Sequence, residues 1–211
     1  MTESPTTTEK GGGAFINVPN TITIVRVILC LLTVPMMISA DDPVRWVAFG
    51  LTALVIWGDG LDGYFARKLN QTTKMGAILD IAGDRVVEMI YWVSFAYYHW
   101  IDLWVPLLFL VRGTFVDAMR AQAGEEGRTA FGAKTMMDTP LGKFLVASNF
   151  MRFTYAIVKA VAFCLVIAAH TNWGVANTIV GTVAMVCVYA ACVFCVLRGI
   201  PVLVEGMRYL K

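Results

Sequence analysis

Charge is scarce in this sequence: Asp, Glu, Lys and Arg make up 15% of its 211 residues, against 58% hydrophobic ones. Soluble domains carry about 25% charged residues, so a mean hydropathy of +0.67 excludes an ordinary soluble fold. Histidine is almost missing. The two present, His99 and His170, fall in turns far from the acidic segment described below, where an interfacial role is expected rather than a catalytic one. Of five cysteines, only Cys192 and Cys195 form a CxxC, inside the apolar run VYAACVFCVL. No second CxxC or neighbouring histidine completes a metal site, which leaves the cysteines as small buried hydrophobes. The sequence also lacks an internal repeat and a separable soluble domain. Residues 1–16 carry no basic n-region and no apolar h-region of a secretory signal, and are expected to be a flexible polar segment. The net charge of +2 is uninformative by itself, and no nucleic-acid partner is expected.

What fills the chain instead is apolar runs of membrane-crossing length, which takes about 20 residues. Six are read, at 20–40, 44–67, 75–98, 102–121, 145–169 and 175–198, making an all-α integral membrane protein. Residues 17–200 form one six-helix domain, and 201–211 a short cytoplasmic tail. With both termini inside, the turns at 41–45, 98–102 and 170–174 hold one basic residue, Arg45. The opposite side holds Lys10, Arg67, Lys68, Lys74, Arg120, Arg128, Lys134, Lys143, Arg208 and Lys211. Basic residues collect on the cytoplasmic side, so this asymmetry orients the bundle in a bacterial-type inner membrane. Trp46, Trp92, Trp100, Trp104 and Trp173 are then expected near the outer interface, as aromatic belts.

The exception to apolarity is DGLDGYFARKLNQTTKMGAILDIAGD, residues 59–84. Ionised carboxylates in a bilayer are costly and usually functional. Four together repel unless a cation sits among them. Asp59 and Asp62 are three residues apart and Asp80 and Asp84 four apart, so each pair shares a helix face. Two such faces meeting make an oxygen cage for a hard divalent cation, Mg²⁺ or Mn²⁺, at the cytoplasmic end. Gly63 and Gly76 beside the carboxylates admit close approach of a ligand. Arg67 supplies a guanidinium fork suited to phosphate oxygens. Together these residues point to phosphoryl-group chemistry on a membrane-embedded substrate.

The pattern Asp59-x2-Asp62-Gly63-x2-Ala66-Arg67-x8-Gly76-x3-Asp80-x3-Asp84 resembles the signature of the CDP-alcohol phosphotransferase family. The lead-in Asn17-Val18-Pro19-Asn20-x2-Thr23-x2-Arg26 is similar to the segment preceding that family's first transmembrane helix. The resemblance implies displacement of CMP from CDP-diacylglycerol by an alcohol hydroxyl. By position it implies one Mg²⁺ on Asp59, Asp62 and Asp80 and a second on Asp59, Asp80 and Asp84. Asp84 becomes the base for the acceptor hydroxyl, and Asn20, Gly63, Arg67, Thr73 and Gly76 contact the CDP-linked donor. A homodimer is implied as well.

For the acceptor, Arg112, Arg120 and Arg152 are read as a pocket for the phosphate of a small polyol phosphate. Arg112 and Arg120 are eight residues apart and can face one side of a helix. Pairing of Arg112 with Asp117 or with the cluster is the alternative. ARKLNQTTKMGAILD and Arg112-x7-Arg120 resemble the phosphatidylglycerophosphate synthase branch, which implies glycerol 3-phosphate. Asp80-Ile81 and Asp84-Arg85 are closer to the phosphatidylinositol-type branch, which implies inositol or its phosphate. A different class, an ion-coupled transporter, is disfavoured because the charges concentrate at one end and no inverted repeat surrounds them. Glu88 is read either as an extension of the acidic stripe or as a partner of Arg85 or Arg112, and Lys159 as a snorkelling or paired cation.

Overall fold

Prolines and short polar side chains set where the helices begin. The computed structural model describes residues 18–68, 73–129, 135–172 and 176–210, without the side chains of 61–67, 74, 176, 209 and 210. Helix α1 (Val18–Met37) has Pro19 in its first turn, where a missing N–H costs nothing. Helix α2 (Asp42–Lys68) opens on Asp42 and Pro43, placing an acid at the positive end of the helix dipole. Helix α3 (Lys74–Tyr97) is capped by Thr73, whose hydroxyl accepts from the Gly76 N–H at 2.9 Å. The turn into α4 (Trp104–Glu125) uses His99 in the left-handed region, φ 58°, and returns the Trp100 N–H to the Phe95 carbonyl at 2.8 Å.

Beyond α4 comes the short α5 (Pro140–Gly142), capped by Thr139, then a π turn over Lys143–Ala147. Helices α6 (Asn149–Ala169) and α7 (Ala176–Gly206) follow, and a 3₁₀ turn, Met207–Leu210, closes the chain. Among the described residues no strand forms; Thr129 and Thr135 make one isolated bridge.

Six long helices therefore stand where six apolar runs were read. Three stretches are long and apolar enough to cross a membrane by composition: Val18–Met37, Asn149–Ala169 and Asn177–Gly206. Their length and hydropathy are those of membrane-crossing helices. Three local expectations are corrected. The run 145–169 is not one helix: Ser148 is extended (φ −64°, ψ 131°) between the π turn and α6. Helix α7 continues through Pro201 to Gly206 instead of stopping near 198. Trp92 does not sit at an interface. It is fully buried, stacked on Phe109 at 4.7 Å and edge-on to Phe163 at 4.6 Å.

The helices close into a ring: α1 packs on α2 and α3, α2 on α6, α6 on α7, α7 on α4, and α4 on α3. One pole is filled by aromatics. Tyr91, Trp92, Phe95 and Phe163 interlock there with Val55, Val105 and Cys195. Buried aromatics of this kind carry much of a core's packing energy. At the same pole Arg45 ties the α1–α2 turn to the α6–α7 turn by donating to the His170 carbonyl, and Trp100 stacks on His170 at 4.0 Å. The outward faces stay apolar, with Leu31, Trp57, Ile78, Phe150 and Ile179 all exposed. Apolar contact with lipid, not water, is the setting in which such faces are at rest. The other pole holds the charge.

Candidate active site

The C-terminal half of α2 and the N-terminal half of α3 meet at the charged pole, against the start of α1. One carboxylate oxygen each from Asp59, Asp80 and Asp84 lies within 4.8 Å of the other two. Asp59 belongs to α2 and the other two to α3, so the two acidic faces do converge. Three carboxylates this close repel one another; a pair 4 Å apart interacts by about 4 kcal/mol at an effective dielectric near 20. An all-oxygen cluster of this kind suits a hard divalent cation. The side chains of Asp62 and Arg67, together with Gly63 and Lys134, lie outside the described residues.

A cation on α1 offsets part of that repulsion. Arg26, 5% exposed, places one Nη2 3.1 Å from Asp59 Oδ1 and 3.2 Å from Asp84 Oδ1. Its Nε donates to the Val55 carbonyl at 3.0 Å, which fixes the guanidinium plane. Glycines make the close approach possible. A Cβ on Gly58 would meet Arg26 Cδ at 3.2 Å, and one on Gly83 would meet Thr23 Cγ2 at 2.5 Å. Gly76, expected to leave room for a ligand, has its space taken by Asn20 Oδ1 at 2.9 Å and Thr73 Oγ1 at 3.0 Å from an added Cβ. Asn20 is buried and Thr73 caps α3, so both lie against Gly76, one helical turn before Asp80.

Asp80 and Asp84 also line a cavity of about 790 Å³ bounded by α3, α4, α6 and α7. Across it stand Arg112, Arg120, Arg152 and Arg198, so the three arginines expected to bind an acceptor share one cavity with the carboxylates. Arg112 does not pair with Asp117. That carboxylate accepts a two-pronged hydrogen bond from Arg85, Nε at 2.6 Å and Nη2 at 3.0 Å, with Arg120 3.8 Å away. Glu88, buried, accepts from Arg85 at 2.7 Å and from Lys159 at 2.7 Å, so it is a charge anchor and Lys159 a paired cation. Three of the cations that line the cavity gather around one ring. Lys159, Arg198 and Arg112 lie 4.6, 5.5 and 6.0 Å from the centroid of Tyr155. Arg112 Nε and Arg198 Nε and Nη1 are buried with no hydrogen-bond partner among the described residues. Orphaned guanidinium donors beside a cavity call for an anion.

Arg198 and Tyr155 escaped the sequence reading, and Arg26 entered it only as part of a lead-in pattern. A signal existed for the two arginines. Arg26 is the one charged residue of α1, and Arg198 the one basic residue of α7. A lone cation in an apolar helix needs an internal partner.

Comparison with known proteins identifies the chain's family and relatives. The model of the CDP-alcohol phosphatidyltransferase family matches residues 16–207. A CDP-diacylglycerol–glycerol-3-phosphate 3-phosphatidyltransferase of Pseudomonas fluorescens is 30% identical over 169 residues, covering 75% of this chain and 86% of that protein. The protein of the same name from Haemophilus influenzae is 27% identical over 168 residues, 74% of this chain and 88% of that protein. A CDP-diacylglycerol–inositol 3-phosphatidyltransferase of Candida albicans is 33% identical over 99 residues, 46% of this chain and 41% of that protein.

Proposed function

This chain belongs to the CDP-alcohol phosphatidyltransferase family, and we propose that it transfers a phosphatidyl group from CDP-diacylglycerol to glycerol 3-phosphate, releasing CMP. The observation that carries this reading is the shared cavity: carboxylates on one wall, and on the other four arginines, of which Arg112 and Arg198 hold buried donor atoms with no hydrogen-bond partner among the described residues. A nucleoside-diphosphate lipid and a phosphomonoester must both be held there, one by metal and the other by guanidinium groups.

The acceptor hydroxyl attacks the phosphorus that bears the diacylglycerol. The bond from that phosphorus to the CMP oxygen breaks, CMP leaves, and the hydroxyl proton passes to Asp84. Asp84 fits the role because it borders both the carboxylate cluster and the arginine-lined cavity. Asp59, Asp62, Asp80 and Asp84 would hold two Mg²⁺ ions, with Mn²⁺ as a substitute. Bound there, such ions would supply positive charge to offset that developing on the departing CMP. Asn20, Gly63, Arg67, Thr73 and Gly76 are assigned to the CDP-linked donor. Thr73 serves the helix start as well, so its hydroxyl has a double duty.

Arg112, Arg120 and Arg152, joined by Arg198, are assigned to the acceptor phosphate. Arg85 and Lys159 are already neutralised by Asp117 and Glu88, so the buried donor atoms of Arg112 and Arg198 that lack a hydrogen-bond partner among the described residues carry the assignment to a dianion. Contact with the Tyr155 ring pre-orients Arg112 and Arg198 at low entropic cost. Six membrane spans with cytoplasmic termini are part of the same reading. It is supported by six helices of spanning length, apolar outer faces and basic residues gathered at the charged pole. The donor's acyl chains then stay in lipid while its nucleotide reaches the carboxylates, and a homodimer is expected.

Inositol or an inositol phosphate as acceptor is the second reading, and similarity to the Candida albicans protein, whose name specifies inositol, favours it. The test is Mg²⁺-dependent CMP release from CDP-diacylglycerol by the purified protein, with glycerol 3-phosphate, inositol and inositol phosphate offered in turn. Release with glycerol 3-phosphate alone supports the first reading, and release with inositol or inositol phosphate alone replaces it by the second. No release with any acceptor refutes the transferase assignment.

A further inference from the structure

Arg26 is held more firmly than a surface ion pair needs. Its Nε is bound to a backbone carbonyl of α2, its side chain is 6% exposed, and the same Nη2 faces carboxylate oxygens from two different helices. The bridged oxygens, Asp59 Oδ1 and Asp84 Oδ1, belong to residues of the cluster that can hold a metal ion. Gly58 stands against the aliphatic part of the Arg26 side chain, and Gly83 against Thr23 one helical turn earlier on α1. The start of α1 is thus seated to deliver one guanidinium to the seam between α2 and α3.

We propose that Arg26 is a positioning residue that acts as the resident cation of the carboxylate cluster. It fixes the spacing between Asp59 and Asp84 and keeps the two helices together when divalent ions are absent. The proposal rests on the metal-binding reading of these aspartates. Its physical content is a competition. A guanidinium bound to the oxygens that a divalent ion would use repels that ion and must share them. Arg26 therefore weakens metal affinity while keeping the empty site assembled, and metal exchange need not unfold the pole.

Consequences for neutral and charge-retaining substitutions differ in sign. Arg26→Gln removes the competing charge, so metal binding tightens on the order of tenfold. Turnover falls in the same variant because the carboxylates lose their fixed separation. Arg26→Lys keeps a cation but loses the bond to Val55, so its metal affinity stays within about twofold of the parent. A merely structural arginine gives another pattern: both substitutions loosen the pole and both weaken metal binding.

The experiment titrates Mn²⁺ into the purified full-length protein and its two variants, counting free Mn²⁺ by electron paramagnetic resonance. Thermal unfolding is followed in parallel with EDTA and with Mg²⁺. Tighter Mn²⁺ binding in Arg26→Gln, together with a larger Mg²⁺-induced rise in Tm than the parent shows, supports the proposal. Equal or weaker binding in Arg26→Gln overturns it. If Arg26→Gln is recovered only when purified in Mg²⁺, the resident-cation role is supported, and failure to fold with and without Mg²⁺ refutes it. An absence of Mn²⁺ binding by the parent protein removes the metal reading itself, a result distinct from all of these.

Discussion

The contact between Gly83 and Thr23 offers a sharp test of how the acidic pole is assembled. A methyl group at position 83 would lie 2.5 Å from Thr23 Cγ2, where ordinary contact begins near 3.4 Å, so about 1 Å must be found. Thr23 cannot turn aside cheaply. It is 3% exposed, β-branched, and its hydroxyl donates to the Pro19 carbonyl at 3.2 Å. Overpacking costs about 1–3 kcal/mol, and replacing a helical glycine with alanine returns about 1 kcal/mol. Gly83→Ala is therefore expected to lose up to about 2 kcal/mol of stability. Its effect on turnover is larger, because Asp84 is the next residue and a displacement near 1 Å at reacting groups costs on the order of 100-fold. Thr23→Ser removes the offending methyl and keeps the hydroxyl, at a cost of about 1 kcal/mol for the lost buried carbon. In the double variant the alanine methyl occupies that vacated space, so stability and CMP release should both return close to the parent. The coupling between the two sites should be favourable by about 1–2 kcal/mol. CMP release and thermal unfolding of all four proteins in one detergent measure it. Additive effects, or unimpaired turnover in Gly83→Ala alone, would refute the seating of α1 against α3 as a determinant of Asp84's position.

Asp80→Asn should abolish CMP release while leaving the Tm within a few degrees of the parent, and retained turnover in the purified variant would sink the two-metal assignment. Arg112→Ala and Arg198→Ala should each raise the KM for the acceptor by roughly tenfold or more, as loss of a charge-assisted contact does, with the KM for CDP-diacylglycerol little changed. Equal effects on both substrates would move these arginines out of the acceptor pocket. Trp92→Ala, at the opposite pole, should cost about 3–5 kcal/mol in unfolding with the KM values preserved in whatever protein stays folded. His170 lies in the α6–α7 turn, where burial and, to a lesser extent, the nearby Arg45 charge lower its pKa from 6.5, against a weaker opposing contact with the Val166 carbonyl. Its neutral form therefore favours the fold at pH above 6.5, and that contribution is lost as the pH falls below it. A His170→Asn variant should flatten the acid limb of a Tm-against-pH curve, and an unchanged limb would exclude this residue.

How far the sequence could be read depended on whether a signal was local. Helix period and length located six helices because an apolar face or run is repeated every turn. The convergence of Asp59 with Asp80 and Asp84 followed from spacings of three and four residues joined by a short connection. The break at Ser148 did not follow, because 145–169 is apolar on both sides of it and only tertiary packing against α7 selects the extended residue. Trp92 was misplaced for a related reason: a tryptophan near the end of an apolar run suits a membrane interface and an aromatic plug equally well.

Charge pairing is where local reading failed most clearly. Asp117 lies five residues from Arg112 and three from Arg120, yet Arg85 of another helix takes its two-pronged hydrogen bond. That exchange matters for function. Once Arg85 and Lys159 are occupied by Asp117 and Glu88, the positive charge of the cavity is concentrated on the guanidinium groups around Tyr155. The same logic holds at the cluster, where Arg26 neutralises acids contributed by other helices. The three carboxylates and the row of arginines at one pole of an apolar bundle would repel within each set if taken separately. They coexist because each like-charged set is interrupted by one or two members of opposite sign from a neighbouring helix. Substitutions that remove an interrupting charge, Arg26 or Glu88, should therefore perturb the pole more than removal of a charge from the majority set. That ranking follows from the ring order of the helices and from no single segment of the sequence.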